Sequence, residues 1–278
     1  MITAKTKITG LFGWPVEHSL SPWMHNAGFN HLGLDYCYVA FPVHPDLLKD
    51  AAAGIRGMGL AGVNVTVPHK ERVMEHLDEI DPEARFIGAV NTVVNREGRL
   101  TGYNTDGRGF MKSLEEAGVS AGGKKVLIIG AGGASRAVGY YLAREASALS
   151  IFDIDTPKLN KLVMDLKSVS AGVMAAKDLN GAEGFDIVIN ATPLGLKAGD
   201  PPAVDPSGFK GETVACDLIY RDTPYLAGAR KKGCLTVNGL GMLFWQGVLA
   251  FELWTGQKAP VEEMRGALVD AFERASTG

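Results

Sequence analysis

The sequence predicts an α/β protein that is divided into two domains, and three observations support this fold class. The chain has 278 residues, a length typical of about two domains with a hydrophobic core in each. Short β-branched runs alternate with segments of helical periodicity, which is typical of mostly parallel sheets. One such run ends in a glycine-rich turn, GAGGA at 130–134, and a helical segment follows it directly.

The N-terminal part predicts strands and helices in alternation. Strands are expected at 8–14, 36–42 and 60–67, and helices at 22–31, at 45–58 and from Pro68 onward. The pair Ser21-Pro22 is typical of a helix start, with serine as the cap and proline at the first helical position. This order of elements predicts a mostly parallel sheet.

A hairpin and a domain boundary are predicted next. The segment 83–94 leads into a strand, 95–98 forms a turn, 100–106 returns, and 107–117 forms a helix. The small and polar residues at 118–123 then mark a boundary in front of the strand that carries the glycine-rich turn.

The second half continues the alternation and predicts a second parallel sheet with its own core. Strands are expected at 126–129, 149–153, 185–190, 213–217 and 235–237, and helices after the glycine-rich turn, at 157–166 and at 223–231. Two further helices, at 242–254 and 261–275, follow. The first of them is apolar on all sides, so we expect it to pack between other elements.

Composition excludes several classes of partner. The formal net charge of −3 at pH 7 argues against a surface for nucleic acid or anionic membranes. The apolar segment 242–254 is too short to span a bilayer, and the N-terminal residues lack a signal-peptide core. Three cysteines without C-x-x-C spacing fit a reducing compartment, and the six histidines lack ligand spacing. We therefore expect a cytoplasmic protein with no nucleic acid, membrane or metal partner.

The glycine-rich turn predicts a dinucleotide site. A helix N-terminus presents free N–H groups and a partial positive charge to a pyrophosphate. The expected cradle consists of Gly130, Ala131, Gly132, Gly133 and Ala134. Ser135 replaces the third glycine of G-x-G-x-x-G, and Asp153 follows the next strand about 20 residues on. A bare packing turn is the alternative, and the strand–turn–helix context with its following acid favours the dinucleotide site.

The segment NVTVPHK at 64–70 places polar side chains at the carboxyl end of a predicted strand, where open α/β sheets bind ligands. Asn64 and Thr66 share one face of that strand. Lys70 is expected in the first turn of the next helix, where a cation is unfavourable. That position indicates a role as a proton donor or an oxyanion partner, with a surface lysine as the alternative.

Other polar groups lie near predicted strand ends in the first half. The hydroxyls of Ser19 and Ser21 can both donate to a carboxylate, and simple helix capping by Ser21 is the alternative. Asn91 and Asp106 also lie near strand ends. Asp106 can cap the helix that follows, or it can accept a proton or orient a lysine.

Fewer polar candidates occur in the second half. The segment NATPLG at 190–195 follows an apolar strand, where a dinucleotide domain lines the nicotinamide half of its crevice. Tyr220 and Gln246 are isolated polar residues beside apolar runs, so each can belong to the core or to a cleft.

Taken together, the order of these motifs resembles the shikimate dehydrogenase family. The motifs are SLSP at 19–22, NVTVPHK at 64–70, GAVNT at 88–92, NTDG at 104–107, GAGGASRA at 130–137, NATPLG at 190–195, DLIY at 217–220 and NGLGMLFWQG at 238–247. The resemblance covers nearly the whole chain, and the motifs are jointly specific. It implies an N-terminal α/β substrate domain and a Rossmann-like dinucleotide-binding domain, with a deep cleft between them.

The resemblance implies reversible reduction of 3-dehydroshikimate to shikimate by a nicotinamide cofactor, a step of aromatic amino acid (chorismate) biosynthesis. It implies that Lys70 and Asp106 form the catalytic pair, in which the lysine neutralises the developing oxyanion and supplies the proton. It also implies that Ser19 and Ser21 hold the substrate carboxylate. Substrate contacts are implied for Asn64, Thr66, Lys70, Asn91, Asp106, Tyr220 and Gln246. Dinucleotide contacts are implied for the residues 130–134 and for Asp153, Thr192, Leu218 and Gly239.

The same resemblance predicts where the domains begin and end. Residues 1–105 with 239–278 would form the substrate-binding and catalytic domain, and residues 106–238 would form the dinucleotide-binding domain. A homodimer is one assembly that the resemblance allows.

Two alternatives stay open at this point. The first is a quinate or quinate/shikimate dehydrogenase of the same family, because the loop that carries Ser19 and Ser21 (the serine loop) does not tell which acid fits. The second is a cofactor-binding regulator without catalysis. Lys70, Asp106 and Gln246 argue against the regulator, since a sensor has no need of a proton-transfer pair.

The choice between NAD and NADP depends on the residues after the second strand of the dinucleotide domain. Family members that use NADP commonly carry an Asn-Arg-Thr run there, whereas this chain has Asp153, Ile154 and Asp155. An acid at this strand end is typical of a residue that binds the ribose hydroxyls. NADP is the usual cofactor of the family, whereas Asp153 and Ile154 argue that this chain uses NAD. Lys158 and Arg136 are the cations that can compensate.

Overall fold

The computed structural model describes residues 2–197 and 199–277, so Met1, Ala198 and Gly278 lie outside it. The contacts between Cα atoms divide the chain into two compact units. The first unit comprises Met1–Thr105 and Gln246–Gly278, and the second comprises Asp106–Trp245. The segment 239–245, which the sequence assigned to the first domain, therefore falls in the second unit.

This difference has a local cause at the start of α8, the helix Leu240–Thr255. A Cβ atom on Gly241 would lie 2.8 Å from the Cβ of Ser113, so the helix approaches α4 (Asp106–Glu116) closely. Trp245 Nε1 donates a hydrogen bond of 3.1 Å to Glu116 at the end of α4. These contacts attach the first turns of α8 to the second unit.

The first unit contains a mixed sheet covered by helices. Its strands are β1 Lys7–Gly13, β2 Tyr36–Pro42, β3 Gly62–Val65, β4 Glu79–Ile80, β5 Thr92–Arg96 and β6 Arg99–Tyr103. Its helices are α1 Ser21–His31, α2 Leu48–Gly57, α3 Pro82–Ile87 and α9 Val261–Thr277, with 3₁₀ segments at Pro45–Leu47 and Arg72–His76. The strand order is β2-β1-β3-β5-β6-β4.

The directions of the strands bring the ends of four strands to one edge of this sheet. β1 is parallel to β2 and β3, whereas β5 is antiparallel to both β3 and β6. The carboxyl ends of β1, β3 and β6 and the amino end of β5 therefore share an edge. Behind them, Trp254 of α8 donates a hydrogen bond of 3.0 Å to the carbonyl of Val93, and both side chains are buried.

Two sequence-based expectations about helix starts in the first unit are wrong, and both concern candidate site residues. No helix begins at Pro68 in the described chain; the 3₁₀ segment begins at Arg72. The Lys70 carbonyl instead accepts a hydrogen bond of 2.8 Å from Val90, which ties this turn to the start of the hairpin. Ser21 is not a cap but the first residue of α1, and its N–H donates to Ser19 Oγ at 3.3 Å.

The second unit contains a parallel sheet with helices between its strands. The strands are β7 Lys125–Ile129, β8 Ala148–Phe152, β9 Val173–Ala175, β10 Ile187–Asn190, β11 Val214–Asp217 and β12 Leu235–Val237. The helices besides α4 are α5 Gly133–Glu145, α6 Thr156–Lys167 and α7 Pro224–Lys231. The strand order is β12-β11-β10-β7-β8-β9. The chain moves outward from β7 to β9 on one side and then from β10 to β12 on the other, so a topological switch point lies between β7 and β10. Ligands bind at such a switch point in Rossmann-like sheets.

Two general features of the chain bear on the predicted class. Among the residues described, no helix is long and apolar enough to cross a membrane. Cys37, Cys216 and Cys234 are free thiols, and burial raises the pKa of Cys216 far above its ordinary value.

Candidate functional site

The first unit collects polar side chains at the edge where β1, β3 and β6 end. Asn64 of β3 is buried, and its Nδ2 donates to the Asn91 carbonyl at 3.2 Å and to Thr92 Oγ1 at 3.1 Å. Its Oδ1 accepts a hydrogen bond of 2.9 Å from the Tyr38 hydroxyl. Three protein partners therefore fix the orientation of the Asn64 amide.

Asn91 is fixed in the same way just before β5. Its Nδ2 donates to Thr105 Oγ1 at 3.0 Å, and its Oδ1 accepts from the Thr105 N–H at 2.9 Å. Thr92 Oγ1 also donates to the Asn91 Oδ1 at 3.0 Å. These bonds connect β3, the start of β5 and the segment after β6 through side chains, so the polar edge is preorganised.

Lys70 and Thr66 lie next to this network. The Lys70 carbonyl is bonded to Val90, the residue directly before Asn91, and the lysine is half-buried. Thr66 donates its N–H to the Phe12 carbonyl at 2.9 Å. The first unit thus brings the lysine turn and Asn91 to one place.

The serine loop and the second half of α8 complete the predicted set in this unit. Ser19 and Ser21 occupy the loop after β1 and the start of α1. Gln246 is buried, and its neighbour Gly247 approaches α1 so closely that a Cβ would lie 2.1 Å from Met24 Cε.

His25 is buried beside these residues and stacks on the Tyr38 ring at 4.4 Å between centroids. Burial lowers the pKa of His25 to about 3, so the ring is neutral at physiological pH. Burial likewise raises the pKa of the Tyr38 phenol, which keeps its hydroxyl a hydrogen-bond donor.

Tyr38 gives a first testable prediction. Tyr38→Phe removes the donor to Asn64 Oδ1 and leaves a buried acceptor unpaired, so we expect a loss of about 1–3 kcal/mol in the free energy of unfolding. Urea denaturation measures it. The control is Tyr36→Phe on the same strand, which is half-buried and should change stability by less than about 0.5 kcal/mol. Equal losses in the two variants would contradict the role given to Tyr38.

The second unit carries the predicted dinucleotide cradle at its switch point. Gly130 has a φ of 108°, and a Cβ there would lie 2.8 Å from the Ala191 carbonyl oxygen, so only glycine fits. Gly132 and Gly133 face open space, with no atom within 4 Å of a Cβ placed on either residue. Gly133 begins α5, and the first N–H groups of a helix have no partner within the helix.

The acidic residue after β8 supports this turn. The Asp153 carboxylate accepts from the Ala131 N–H at 2.6 Å and from the Asp155 N–H at 2.8 Å. Asp155 in turn accepts from the Lys158 N–H at 3.1 Å as the cap of α6. Ile154 between the two acids is 92% exposed.

The remaining predicted residues of this unit lie on α4 and on loops after the strands. Asp106 is the first residue of α4 and is buried, and a Cβ on Gly107 next to it would lie 2.4 Å from the Ala137 carbonyl oxygen of α5.

Thr192 follows β10, whereas Leu218 follows β11. A Cβ on Gly239 would lie 2.1 Å from the Leu218 carbonyl oxygen, so these two residues meet closely. Tyr220 is exposed.

Sequence reasoning missed several residues that hold the predicted ones. Tyr38, Thr92 and Thr105 fix the two asparagines of the first unit, and nothing in strand periodicity distinguishes Tyr38 from a core aromatic. Thr105 lies in the motif NTDG, directly before Asp106, and this position was the available signal that it belongs to the site. Among the described residues there is no group of His, Cys, Asp or Glu that could hold a metal ion.

A parallel sheet with this strand order, a glycine-rich turn at its switch point and an acid after the second strand are typical of a Rossmann-like dinucleotide-binding domain. A sequence profile described as "Shikimate dehydrogenase substrate binding domain" matches residues 11–93, and one described as "Shikimate 5'-dehydrogenase C-terminal domain" matches residues 239–269. A relative from Desulforamulus reducens, named "Shikimate dehydrogenase (NADP(+))", is 48% identical over 279 residues and 96% of each chain is covered.

Two solved structures are also similar along nearly the whole chain. Shikimate 5-dehydrogenase from Listeria monocytogenes, in complex with shikimate and NAD, is 40% identical with a TM-score of 0.88, covering 96% of this chain and 98% of that chain. Quinate dehydrogenase from Corynebacterium glutamicum, in complex with NAD, is 33% identical with a TM-score of 0.88, covering 95% and 99%. The chain belongs to the shikimate dehydrogenase family, whose members are nicotinamide-dependent oxidoreductases that act on a CH–OH group.

Proposed function

We propose that this chain catalyses the reversible, nicotinamide-dependent reduction of 3-dehydroshikimate to shikimate. The observation that carries the proposal is the preorganised polar edge of the first unit, where Asn64 and Asn91 are fixed by side-chain hydrogen bonds next to the Lys70 turn. A small polyhydroxylated acid needs such a site, with many hydrogen-bond donors and acceptors in fixed positions. Family membership supports the same reaction.

Lys70 and Asp106 are the proposed catalytic pair. When the carbonyl carbon receives hydride, negative charge develops on its oxygen. The Lys70 ammonium neutralises that charge and donates the proton, and the Asp106 carboxylate orients the lysine. In the direction of shikimate oxidation, the same pair removes the proton from the hydroxyl.

The other first-unit residues are proposed to bind the substrate. The hydroxyls of Ser19 and Ser21 donate to its carboxylate, since both are short donors, one in the loop before α1 and one at the first residue of α1. The ring and its hydroxyls are proposed to contact Asn64, Thr66, Asn91 and Gln246, together with Tyr220 of the second unit.

The dinucleotide is proposed to bind at the cradle of the second unit. Gly130–Ala134 would hold the pyrophosphate, because the glycines leave open space in front of the α5 N-terminus. Thr192, Leu218 and Gly239 would surround the nicotinamide. When bound, the nicotinamide supplies or accepts the hydride.

We further propose that NAD is preferred over NADP. Asp153 and Asp155 flank the exposed Ile154, so two carboxylates and one apolar side chain stand where an arginine would meet the 2′-phosphate. Arg136, one cation that could compensate, is engaged by Asp165 at 2.5 Å. Lys158 has an exposed side chain and is the remaining candidate.

The cofactor preference is tested by comparing kcat/KM for shikimate oxidation with each dinucleotide. A carboxylate about 4 Å from a phosphate costs roughly 1–4 kcal/mol depending on burial, so we expect NAD to be favoured by at least about tenfold. Ile154→Arg should improve kcat/KM for NADP by about tenfold, whereas Ile154→Gln, a long neutral side chain, should not. A preference for NADP in the wild type would contradict the proposal; loss of that preference in Lys158→Gln would identify the lysine as the phosphate ligand.

Quinate is a second candidate substrate. The acid after β8, Asp153, favours NAD, and this supports quinate as a candidate. The similar quinate dehydrogenase structure contains NAD. Quinate carries an extra hydroxyl on the ring carbon that bears the carboxylate, so the serine loop must accommodate it.

Steady-state kinetics with purified protein test the function and separate these candidates. Shikimate and quinate are each oxidised with NAD and with NADP, and the absorbance of the reduced nicotinamide is followed. We expect the highest kcat/KM with shikimate. A higher value with quinate would assign the chain to the quinate branch, and no turnover of either acid would refute the proposed reaction.

A further inference from the structure

A buried carboxylate in the second unit has no part in the proposed chemistry. Asp217 is the last residue of β11, is 1% exposed, and lies beside Asn190, the last residue of β10. Asn190 Nδ2 lies 3.1 and 3.0 Å from the two carboxylate oxygens. Thr223 Oγ1 donates at 2.8 Å and the Ile219 N–H donates at 3.0 Å. Each of these partners is a donor, which suits an ionised carboxylate because it only accepts.

Asn190 extends this network into the loop after β10. Its Oδ1 accepts from the Thr192 N–H at 3.0 Å and from Thr192 Oγ1 at 2.7 Å. Its Nδ2 also donates to the Leu194 carbonyl at 3.0 Å. The loop 191–195 is therefore held by an amide whose orientation depends on Asp217.

Ile219 extends the network into the loop after β11. The Ile219 carbonyl accepts a hydrogen bond of 3.0 Å from the Gly239 N–H, while its own N–H is bonded to Asp217. Thr223, at the far end of this loop, caps α7 by accepting from the Leu226 N–H at 3.3 Å. The loop 218–222 is thus anchored to Asp217 at both ends.

We infer that Asp217 is a positioning residue for the dinucleotide: through Asn190, Ile219 and Thr223 it fixes the loops 191–195 and 218–222, and it touches no cofactor atom. The inference rests on the proposed function, because Thr192, Leu218 and Gly239 are the proposed nicotinamide contacts. One carboxylate sets the mutual position of all three.

A purely stabilising role explains the carboxylate poorly. A buried charge contributes little to stability compared with apolar residues of the same volume. Burial also raises the pKa of Asp217, which the donors from Asn190, Ile219 and Thr223 oppose. The network sits at the carboxyl ends of β10 and β11, which is the ligand-binding edge of a Rossmann-like sheet.

Asp217→Asn tests the inference because it keeps the volume but replaces one acceptor by a donor that faces the Asn190 or Thr223 donors. We expect the Kd for NADH, measured by fluorescence titration, to rise about 10–100-fold, by analogy with the loss of affinity when a residue that orients a metal ligand is replaced. We expect kcat/KM for shikimate to fall by about 100-fold, because a displacement near 1 Å has that effect.

The matched control is Tyr225→Phe, which removes another buried hydrogen bond of the same core, 2.9 Å from the Tyr225 hydroxyl to the Val188 carbonyl. It should lower the Tm and leave the Kd for NADH within about threefold of wild type. An unchanged Kd in Asp217→Asn, or equal effects of both variants on Kd, would overturn the inference.

Two variants at Thr223 keep the test decisive if Asp217→Asn does not fold. Thr223→Val removes the hydroxyl that donates to Asp217, whereas Thr223→Ser keeps it. A raised Kd in the valine variant alone supports the inference, and equal Kd values overturn it. Wild-type protein that binds NADH without oxidising shikimate would refute the proposed reaction while the Kd values still decide the role of Asp217. Binding of neither NADH nor NADPH would overturn both.

Discussion

Replacing Lys70 by alanine is expected to lower kcat for shikimate oxidation by about 10²–10⁴-fold, the range for a general acid–base group. The reason is that Lys70 is the proposed donor to the developing oxyanion, a contact that is stronger in the transition state than in the ground state. Steady-state kinetics measure kcat, and NADH titration should give a Kd close to the wild-type value.

The matched control is Lys49→Ala, which removes an exposed lysine from α2 of the same unit. It should leave kcat unchanged. A Lys70→Ala variant with kcat within about tenfold of wild type would remove Lys70 from the catalytic pair. Circular dichroism of both variants separates loss of rate from loss of folding.

Asp106→Asn is expected to lower kcat by about 10²-fold or more, since the neutral amide can no longer act as a proton acceptor or as a counter-charge for Lys70. The helix should survive, because the loss of one negative charge in its first turn costs only about 0.3–1 kcal/mol. Thermal unfolding should therefore show a small change in Tm. Asp50→Asn provides a comparison, as Asp50 is an acidic residue in the first turn of α2.

The result that would contradict this role is a variant with normal kcat and a reduced Tm. Asp106 would then serve only to begin α4, where Gly107 packs against α5. Measuring kcat and Tm on the same preparation distinguishes the two interpretations.

The sequence predicted the α/β class and most strands because β-branched runs and glycine stops carry local signals. β9 was not predicted, since Met174 and Ala175 in this edge strand are exposed and give no alternation. The helix expected at Pro68 is absent from the described chain because the Lys70 carbonyl bonds to Val90, a partner that is distant in the chain. Local propensity does not report such a bond.

In the candidate site, too, residues that belong to motifs were predictable, whereas residues that act through contacts distant in the chain were not. Motif order was sufficient to predict Asn64, Asn91 and Lys70, whose roles remain proposals. Tyr38, which fixes Asn64, was not predictable, because it looks like an ordinary strand aromatic until its hydroxyl is seen to donate to Asn64 Oδ1 at 2.9 Å. Asp217 stands out in the sequence only as part of DLIY, and its four donor contacts depend on strand pairing that the sequence alone does not fix.

The division of the chain also has a consequence for the order of events during synthesis. The second unit is one continuous segment, Asp106–Trp245, whereas the first unit needs Gln246–Gly278 in addition to its N-terminal residues. The hydrogen bond from Trp254 to Val93 closes a sequence separation of 161 residues. Contacts so distant in the chain form slowly, since a long loop must close first. On the ribosome, the unit whose synthesis starts first is therefore expected to be the last to acquire its native packing.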